Sequence, residues 1–442
     1  MGKKQSLKRV VLDKLKRTPL KSVLSGVKQV PPLRQARHYL IDLHEDKLYY
    51  EWYPDIYRRH SSEPVDERKV VIIENAMKGL SNSMQLVFDD LMADGSYKVH
   101  IHHIGRNLIH AQDAEVNGAR LVNDLGNARY VILSEASKVL SCLPLRPETT
   151  VIQLWHGCGA FKKFGRSTAD LLFGDDLQHA DRHPQYGNYT CVTVSSPEVV
   201  WAYEQAMGLE DKKGIVRPVG VSRTDVFFDK EYLAQASERV YEKVPQARGR
   251  KVILFAPTFR GGVAVAETPN YKQFDLERLH QALGDDVIIL IKHHPIIKEY
   301  YMPKIPENLK DSFAVDVTRT LSIEDLMITA DVCITDYSSL IFEYSLLDKP
   351  LVFYAYDLQK FFDWRGFYYD YDELTPGPVC RTMDELVDVL KQPDCGYDPE
   401  EMRVFREKFM SSCDGHSTER IEELAFGRSL RDVGEYGRKG KD

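Results

Sequence analysis

The sequence predicts an α/β protein built from two similar lobes. Three observations predict it. The chain has 442 residues, too many for one ordinary core. Short β-rich runs alternate with helix-like stretches, the pattern of parallel sheets. Polar or Gly/Pro-containing loops follow the strand candidates directly, where doubly wound sheets bind ligands. A first series of strands is read at residues 70–74, 98–104, 130–134, 151–154 and 190–194, broken by helical patterns such as residues 84–92. A second series is read at residues 252–256, 287–291, 314–317, 332–335 and 351–354. Between them, residues 216–229 carry a strand-like run with Gly220 and Ser222, ahead of a charged helix from Glu231 onward, and the lobe boundary is set there. The expected organisation is a basic amphipathic segment over 1–45, an N-terminal lobe over 46–225, a C-terminal lobe over 226–400 and a C-terminal helical tail over 401–442.

Composition narrows the function classes. Hydrophobic residues make up 43% and charged residues 28%, the balance of a globular chain with a large core. The seven cysteines are odd in number and widely spaced, without metal-ligand spacing, so they are read as reduced cytosolic thiols. No apolar run approaches the ~18 to 20 residues that cross a bilayer, and no secretory signal is read at the start. A net charge of -7 argues against nucleic acid as the main partner. The charge is uneven: residues 1–28 hold nine basic residues against Asp13 alone, with Leu7, Val11 and Leu15 at helical spacing. Such a segment suits an anionic membrane surface, and suits equally a solubilising tail or a helix packed on the body.

Candidate chemistry sits at the strand ends. After residues 151–154 come Trp155, His156, Gly157, Cys158, Gly159, Ala160, Phe161, Lys162 and Lys163. A histidine there can take a proton from a hydroxyl near neutral pH, and lysines offer charge to phosphate; a capping histidine in a tight turn is the competing reading. In the second lobe, Pro257, Thr258 and Arg260 follow one strand, ahead of Gly261 and Gly262 as two flexible residues. Lys292, His293 and His294 follow the next, and without a carboxylate at ligand spacing they are not read as a metal site. Asp336, Ser338 and Ser339 precede a helix, where hydroxyls and free N–H groups cradle phosphate or simply cap the helix. Glu343, one turn later, can reach ribose hydroxyls or remain a surface carboxylate. Arg223 and Asp225, at the lobe junction, are read as cleft residues or as an ion pair.

These motifs, in this order over roughly residues 68 to 427, resemble the CDP-glycerol glycerophosphotransferase family of teichoic acid synthesis. Arg365-Gly366-Phe367, Pro376-Gly377-Pro378, and Asp414-Gly415 followed by Arg420 extend the match. The resemblance implies a GT-B architecture, two Rossmann-like lobes facing a cleft, the first on the acceptor side and the second on the CDP-polyol side, with the C-terminal helices returning to the first lobe. It implies metal-independent and cofactor-free transfer of glycerol phosphate from CDP-glycerol to a lipid-linked teichoic acid acceptor at the cytoplasmic membrane face, with CDP-ribitol as the alternative donor. His156 would be the general base, and His294 would assist at the pyrophosphate. Gly157, Cys158, Gly159, Ala160, Lys162, Arg223, Pro257, Thr258, Arg260, Lys292, His293, Asp336, Ser338, Ser339 and Glu343 would bind substrate. Cys158-Gly159-Ala160-Phe161 stands where many glycerol enzymes carry Thr-Pro-Leu, which is closer to ribitol-type members. A nucleotide-sugar transferase is the more distant alternative.

Overall fold

The computed structural model describes residues 43–74, 79–104, 111–169, 171, 177–260, 268, 273–297 and 302–431. Residues 1–42 of the basic segment, Gly261 and Gly262 lie outside the described residues. Two six-stranded sheets, all parallel, organise the chain.

The first sheet comprises β1 (Asp66–Glu74), β2 (Lys98–His103), β3 (Ala128–Leu133), β4 (Thr150–Gln153), β5 (Cys191–Thr193) and β6 (Val216–Arg217), in the order β2-β1-β3-β4-β5-β6. Its centre is apolar on both faces because helices cover both. Val71 and Ile73 pack with Tyr53, Leu121 and Leu125, whereas Val70 and Ile72 pack with Met84, Val87 and Leu91. The period of two thus divides one Val-Val-Ile-Ile run between two cores.

The second sheet comprises β7 (Lys251–Phe255), β8 (Val287–Ile291), β9 (Ala314–Asp316), β10 (Val332–Thr335), β11 (Leu351–Tyr354) and β12 (Val379–Cys380), in the order β12-β11-β10-β7-β8-β9. Counted from β7, this is the arrangement of dinucleotide-binding sheets, and the strand order reverses between β7 and β10. The reading of strands from sequence stops at Leu351–Tyr354 because β12 pairs only two residues, too few to show a period.

The lobes share one hydrophobic core. Val71 of the first sheet, Phe161, Phe342 and Phe367 at the junction, and Leu254 of the second sheet belong to the same buried cluster. The backbone also crosses the junction: Lys163 N–H donates to Gly366 C=O at 3.2 Å and Tyr368 N–H to Phe161 C=O at 3.1 Å. The C-terminal helix Ser417–Phe426 lies on the first lobe, where Ile421 and Ala425 join the cluster around Ile72. Asp225 fixes its start by accepting from the N–H groups of Ser417 at 3.0 Å and Thr418 at 2.7 Å. Arg223 and Asp225 therefore do not pair with each other. Among the described residues no helix is long and apolar enough to cross a membrane.

Candidate active site

A cleft of about 1290 Å³ lies between the lobes, lined by residues that follow β3 and β4 of the first sheet and β7, β8 and β10 of the second. The second-lobe wall is the switch point between β7 and β10, where such sheets bind ligands.

His156 reaches this cleft through an unusual turn. Trp155, one residue earlier, has φ of 58°, a left-handed conformation that a bulky residue holds only under constraint from its surroundings. Gln153, buried at the end of β4, accepts from Trp155 N–H at 2.9 Å, and the indole stacks on the imidazole at 4.4 Å between ring centroids. The His156 side chain remains 45% exposed. Its Nδ1 lies 3.0 Å from the carbonyl oxygen of Ser134, which can only accept, so Nδ1 carries the hydrogen and Nε2 the lone pair. Glu135 Oε1 lies 3.5 Å from the same Nδ1, on the side of the ring away from Nε2.

His294 has the opposite arrangement. Its Nδ1 accepts from Ile296 N–H at 3.2 Å, so the hydrogen of the neutral ring sits on Nε2. Burial, with Lys162, Arg365 and His156 nearby, pushes its pKa down to about 4. The ring is a neutral hydrogen-bond donor at physiological pH. Burial also brings Lys162 to about 7, with Arg365 adding repulsion, and brings Arg365 to about 10. Cations crowded at the cleft wall suit the site to bind negative charge.

Thr258, Pro257, Lys292, His293, Ser338, Ser339, Glu343, Lys162 and Arg223 all line the cleft with the two histidines, as the strand-end reading expects. Thr258 presents a buried hydroxyl with no hydrogen-bond partner among the described residues. Ser338 Oγ accepts from Leu340 N–H at 3.4 Å, and Ser339 makes no side-chain cap. The helix they open, Leu340–Tyr344, is only five residues long, so hydroxyls contribute more than a helix dipole. Glu343 is a buried residue beside Arg223, not a surface carboxylate.

Other expected contacts are redirected. Gly157, Cys158, Gly159 and Ala160 are absent from the cleft lining. Cys158 and Ala160 are buried in the shared core, and Gly159, at φ of 60°, abuts Phe342, so a Cβ there would lie 2.3 Å from its ring. Cys158, Gly159 and Ala160 support the His156 loop from the core side, whereas Gly157 is half-buried and faces Ser339, whose Oγ would lie 3.7 Å from a Cβ placed there. Arg260 and Asp336 also lie outside the lining: Arg260 pairs with Asp336 at 2.9 Å and Asp357 at 2.8 Å, over the Tyr337 ring, while Asp336 Oδ1 accepts from Thr258 N–H at 2.8 Å. They lock the β7 and β10 loops together. Lys292 touches the cleft, but its ammonium is held by the carbonyls of Thr318 and Leu321.

Arg365, Glu135 and Glu324 are cleft residues that the sequence reading does not single out as binding groups. Glu135 was findable, because it follows β3 as His156 follows β4. Glu324 sits within a helix, Ile323–Thr329, and gives no strand-end signal.

A family model described as CDP-Glycerol:Poly(glycerophosphate) glycerophosphotransferase matches residues 55–427. A teichoic acid ribitol-phosphate primase of Bacillus spizizenii is 34% identical over 82% of this chain and 91% of its own length. A teichoic acid glycerol-phosphate transferase of Staphylococcus aureus is 33% identical over 63% of this chain and 72% of its own. The chain spans 57% and 62% of two longer ribitol-phosphate polymerases that it also matches. In three dimensions, a structure of the wall teichoic acid polymerase TagF, an H444N form with CDPG, superimposes with a TM-score of 0.69 at 21% identity, over 91% of this chain and 99% of the other, and so shares the fold.

Proposed function

The chain belongs to the CDP-glycerol:poly(glycerophosphate) glycerophosphotransferase family, the polyol-phosphate transferases of teichoic acid synthesis, and we propose that its donor is CDP-ribitol and its acceptor a lipid-linked teichoic acid precursor. The observation that carries the chemistry is the opposed tautomers of His156 and His294 across one cationic cleft. Two parallel sheets facing that cleft support the GT-B reading.

In the reaction, His156 Nε2 takes the proton of the acceptor hydroxyl as its oxygen attacks the phosphorus that bears the polyol. The bond from that phosphorus to the CMP oxygen breaks, and CMP departs. Charge accumulates on the departing phosphate, where the His294 Nε2–H, Lys162 and Arg365 stabilise it. The Thr258, Ser338 and Ser339 hydroxyls hold the donor on the second lobe, and Glu343 serves its ribose.

The donor assignment rests on the longer match to the ribitol-phosphate primase, together with the Cys158-Gly159-Ala160-Phe161 sequence. Parallel assays of CMP release, with a lipid-linked or synthetic polyol-phosphate acceptor, are expected to give kcat/KM for CDP-ribitol at least about tenfold above CDP-glycerol. Equal use of both, or preference for CDP-glycerol, rejects the ribitol assignment. UDP or GDP release from a nucleotide sugar, with no CMP from either donor, rejects polyol-phosphate transfer itself.

The lowered pKa of Lys162 sets a pH dependence for donor binding. Below pH 7 its ammonium is present in the free protein; as pH rises through about 7 it is lost. The pyrophosphate pulls that pKa back up, so binding above pH 7 takes up a proton. The donor Kd is therefore expected to rise above pH 7, by up to about tenfold per pH unit. In Lys162→Met the Kd should be higher and nearly flat from pH 6.5 to 8.5. A wild-type Kd that is also flat there would show that Lys162 does not meet the donor.

A further inference from the structure

Gln153 ends β4 fully buried, and its amide joins the two loops that place His156. Its Oε1 accepts from Trp155 N–H at 2.9 Å, and its Nε2 lies 3.0 Å from Glu135 C=O and 3.1 Å from Tyr189 Oη. An N–H only donates and a carbonyl oxygen only accepts, so these neighbours fix which way the amide faces. The ladder shows why an amide stands here. β3 and β4 run parallel with Leu133 opposite Gln153, and Leu154 N–H donates to Leu133 C=O at 2.8 Å. Two residues further along, an uninterrupted parallel ladder would have His156 N–H donate to Glu135 C=O. The left-handed turn at Trp155 takes His156 out of the ladder, and Gln153 Nε2 donates to Glu135 C=O in its stead. His156 instead sets its ring against the neighbouring carbonyl of the same loop, Ser134 C=O, 3.0 Å from Nδ1.

We infer that Gln153 is a positioning residue for the transfer reaction. Its amide replaces the missing backbone bond, holds the Ser134 and Glu135 carbonyls against the Trp155 turn, and so fixes the tautomer and aim of His156. The kinetic consequence rests on the transferase reading above; the placement of the imidazole hydrogen does not. The position needs a donor and an acceptor on one side chain. Methionine matches the volume but leaves Trp155 N–H and Glu135 C=O without this partner. A carboxylate accepts from Trp155 N–H but sets a second acceptor against Glu135 C=O.

The test uses full-length protein, CDP-ribitol or CDP-glycerol, whichever turns over, and a synthetic polyol-phosphate acceptor. Gln153→Met is expected to lower kcat by about 30- to 100-fold, the cost of displacing a catalytic group by about an ångström. Donor and acceptor KM should stay within about threefold, since Gln153 does not line the cleft. Nitrogen-15 NMR of histidine-labelled protein, with His156 assigned by difference from His156→Ala, reads the tautomer directly. In wild type the hydrogen of the neutral ring should sit on Nδ1; in Gln153→Met a substantial fraction should move to Nε2. Gln153→Glu is the second arm, should the methionine variant fail to fold. A protonated carboxyl offers one donor and one acceptor as the amide does, and burial raises its pKa to about 8 to 9; above that it only accepts. Its kcat relative to wild type should therefore fall by about tenfold from pH 6.5 to pH 9.5. A methionine variant within about threefold of wild-type kcat, or one that loses kcat with the hydrogen still on His156 Nδ1, overturns the role. A wild-type ring protonated on Nε2, or a glutamate variant whose relative kcat is flat over that pH range, overturns it equally. No CMP release by wild-type protein with either donor is a failure of the transferase reading, and the tautomer measurement then decides the inference alone.

Discussion

His156→Ala is expected to lower kcat for CMP release by about 10²- to 10⁴-fold, the range over which a positioned base accelerates proton transfer. Affinity for the CDP-polyol should stay within about twofold, because the donor hydroxyls lie on the other wall of the cleft. The size of the effect follows from geometry. Ser134 C=O fixes the hydrogen on Nδ1, leaving Nε2 as the ring's accepting nitrogen, and the strained Trp155 turn holds the ring in place. Glu135→Gln removes only a neighbour 3.5 Å from Nδ1 and should cost far less, about three- to tenfold. Single-turnover measurements with donor saturating separate the chemical step from product release. A His156→Ala protein retaining more than about a tenth of wild-type kcat would sink its assignment as the base. A Glu135→Gln protein as defective as His156→Ala would move the essential proton chemistry to the carboxylate.

Much of this arrangement was legible in the sequence because parallel sheets place their chemistry at strand ends. Apolar runs such as Val287–Ile291 mark strands buried on both faces, and the next polar residues are, by topology, at the cleft. That rule finds His156, Thr258, His294 and Ser338 without any knowledge of the fold. It fails where a residue near a strand end turns inward. Cys158 and Gly159 come only two and three residues after the cleft residue His156, yet they are buried in the core, and nothing local distinguishes a loop's floor from its face. It fails also for Arg260 and Asp336, whose charges suit phosphate as well as they suit each other. Partner choice between oppositely charged residues 76 positions apart is a tertiary fact. Glu324 and Arg365 reach the cleft from helices, where strand-end reasoning has no purchase.

Arg223→Met is expected to produce the largest loss of stability among single cleft substitutions, about 3–5 kcal/mol, because it leaves two buried carboxylates without their cation. Arg223 Nη2 donates to Glu324 Oε1, its Nε lies 3.8 Å from Glu343 Oε1, and the two carboxylate side chains are only 2% and 4% exposed. Those neighbours raise the Arg223 pKa despite its burial, so the guanidinium is a fixed charge. Its Nη1 also donates to the His156 carbonyl at 2.9 Å, which ties the His156 loop to the two carboxylate-bearing helices of the second lobe. Two consequences follow that a merely structural residue would not give. The double variant Arg223→Met/Glu324→Gln removes one orphaned charge and should recover about 1–3 kcal/mol of stability, yet kcat should remain low because His156 C=O has still lost its donor. The deficit should also depend on pH. Burial already raises the Glu343 pKa above its usual value, and Arg223 opposes that shift. Without Arg223, the folded-state pKa rises further above the unfolded one, so destabilisation grows as pH rises above about 4.5 and shrinks as pH falls toward it. Thermal melts at pH 5 and pH 8 measure this directly. A single variant melting within about one degree of wild type at pH 8 would show that the carboxylates need no cation. A double variant that recovers kcat along with stability would show that Arg223 holds the fold and does not position His156.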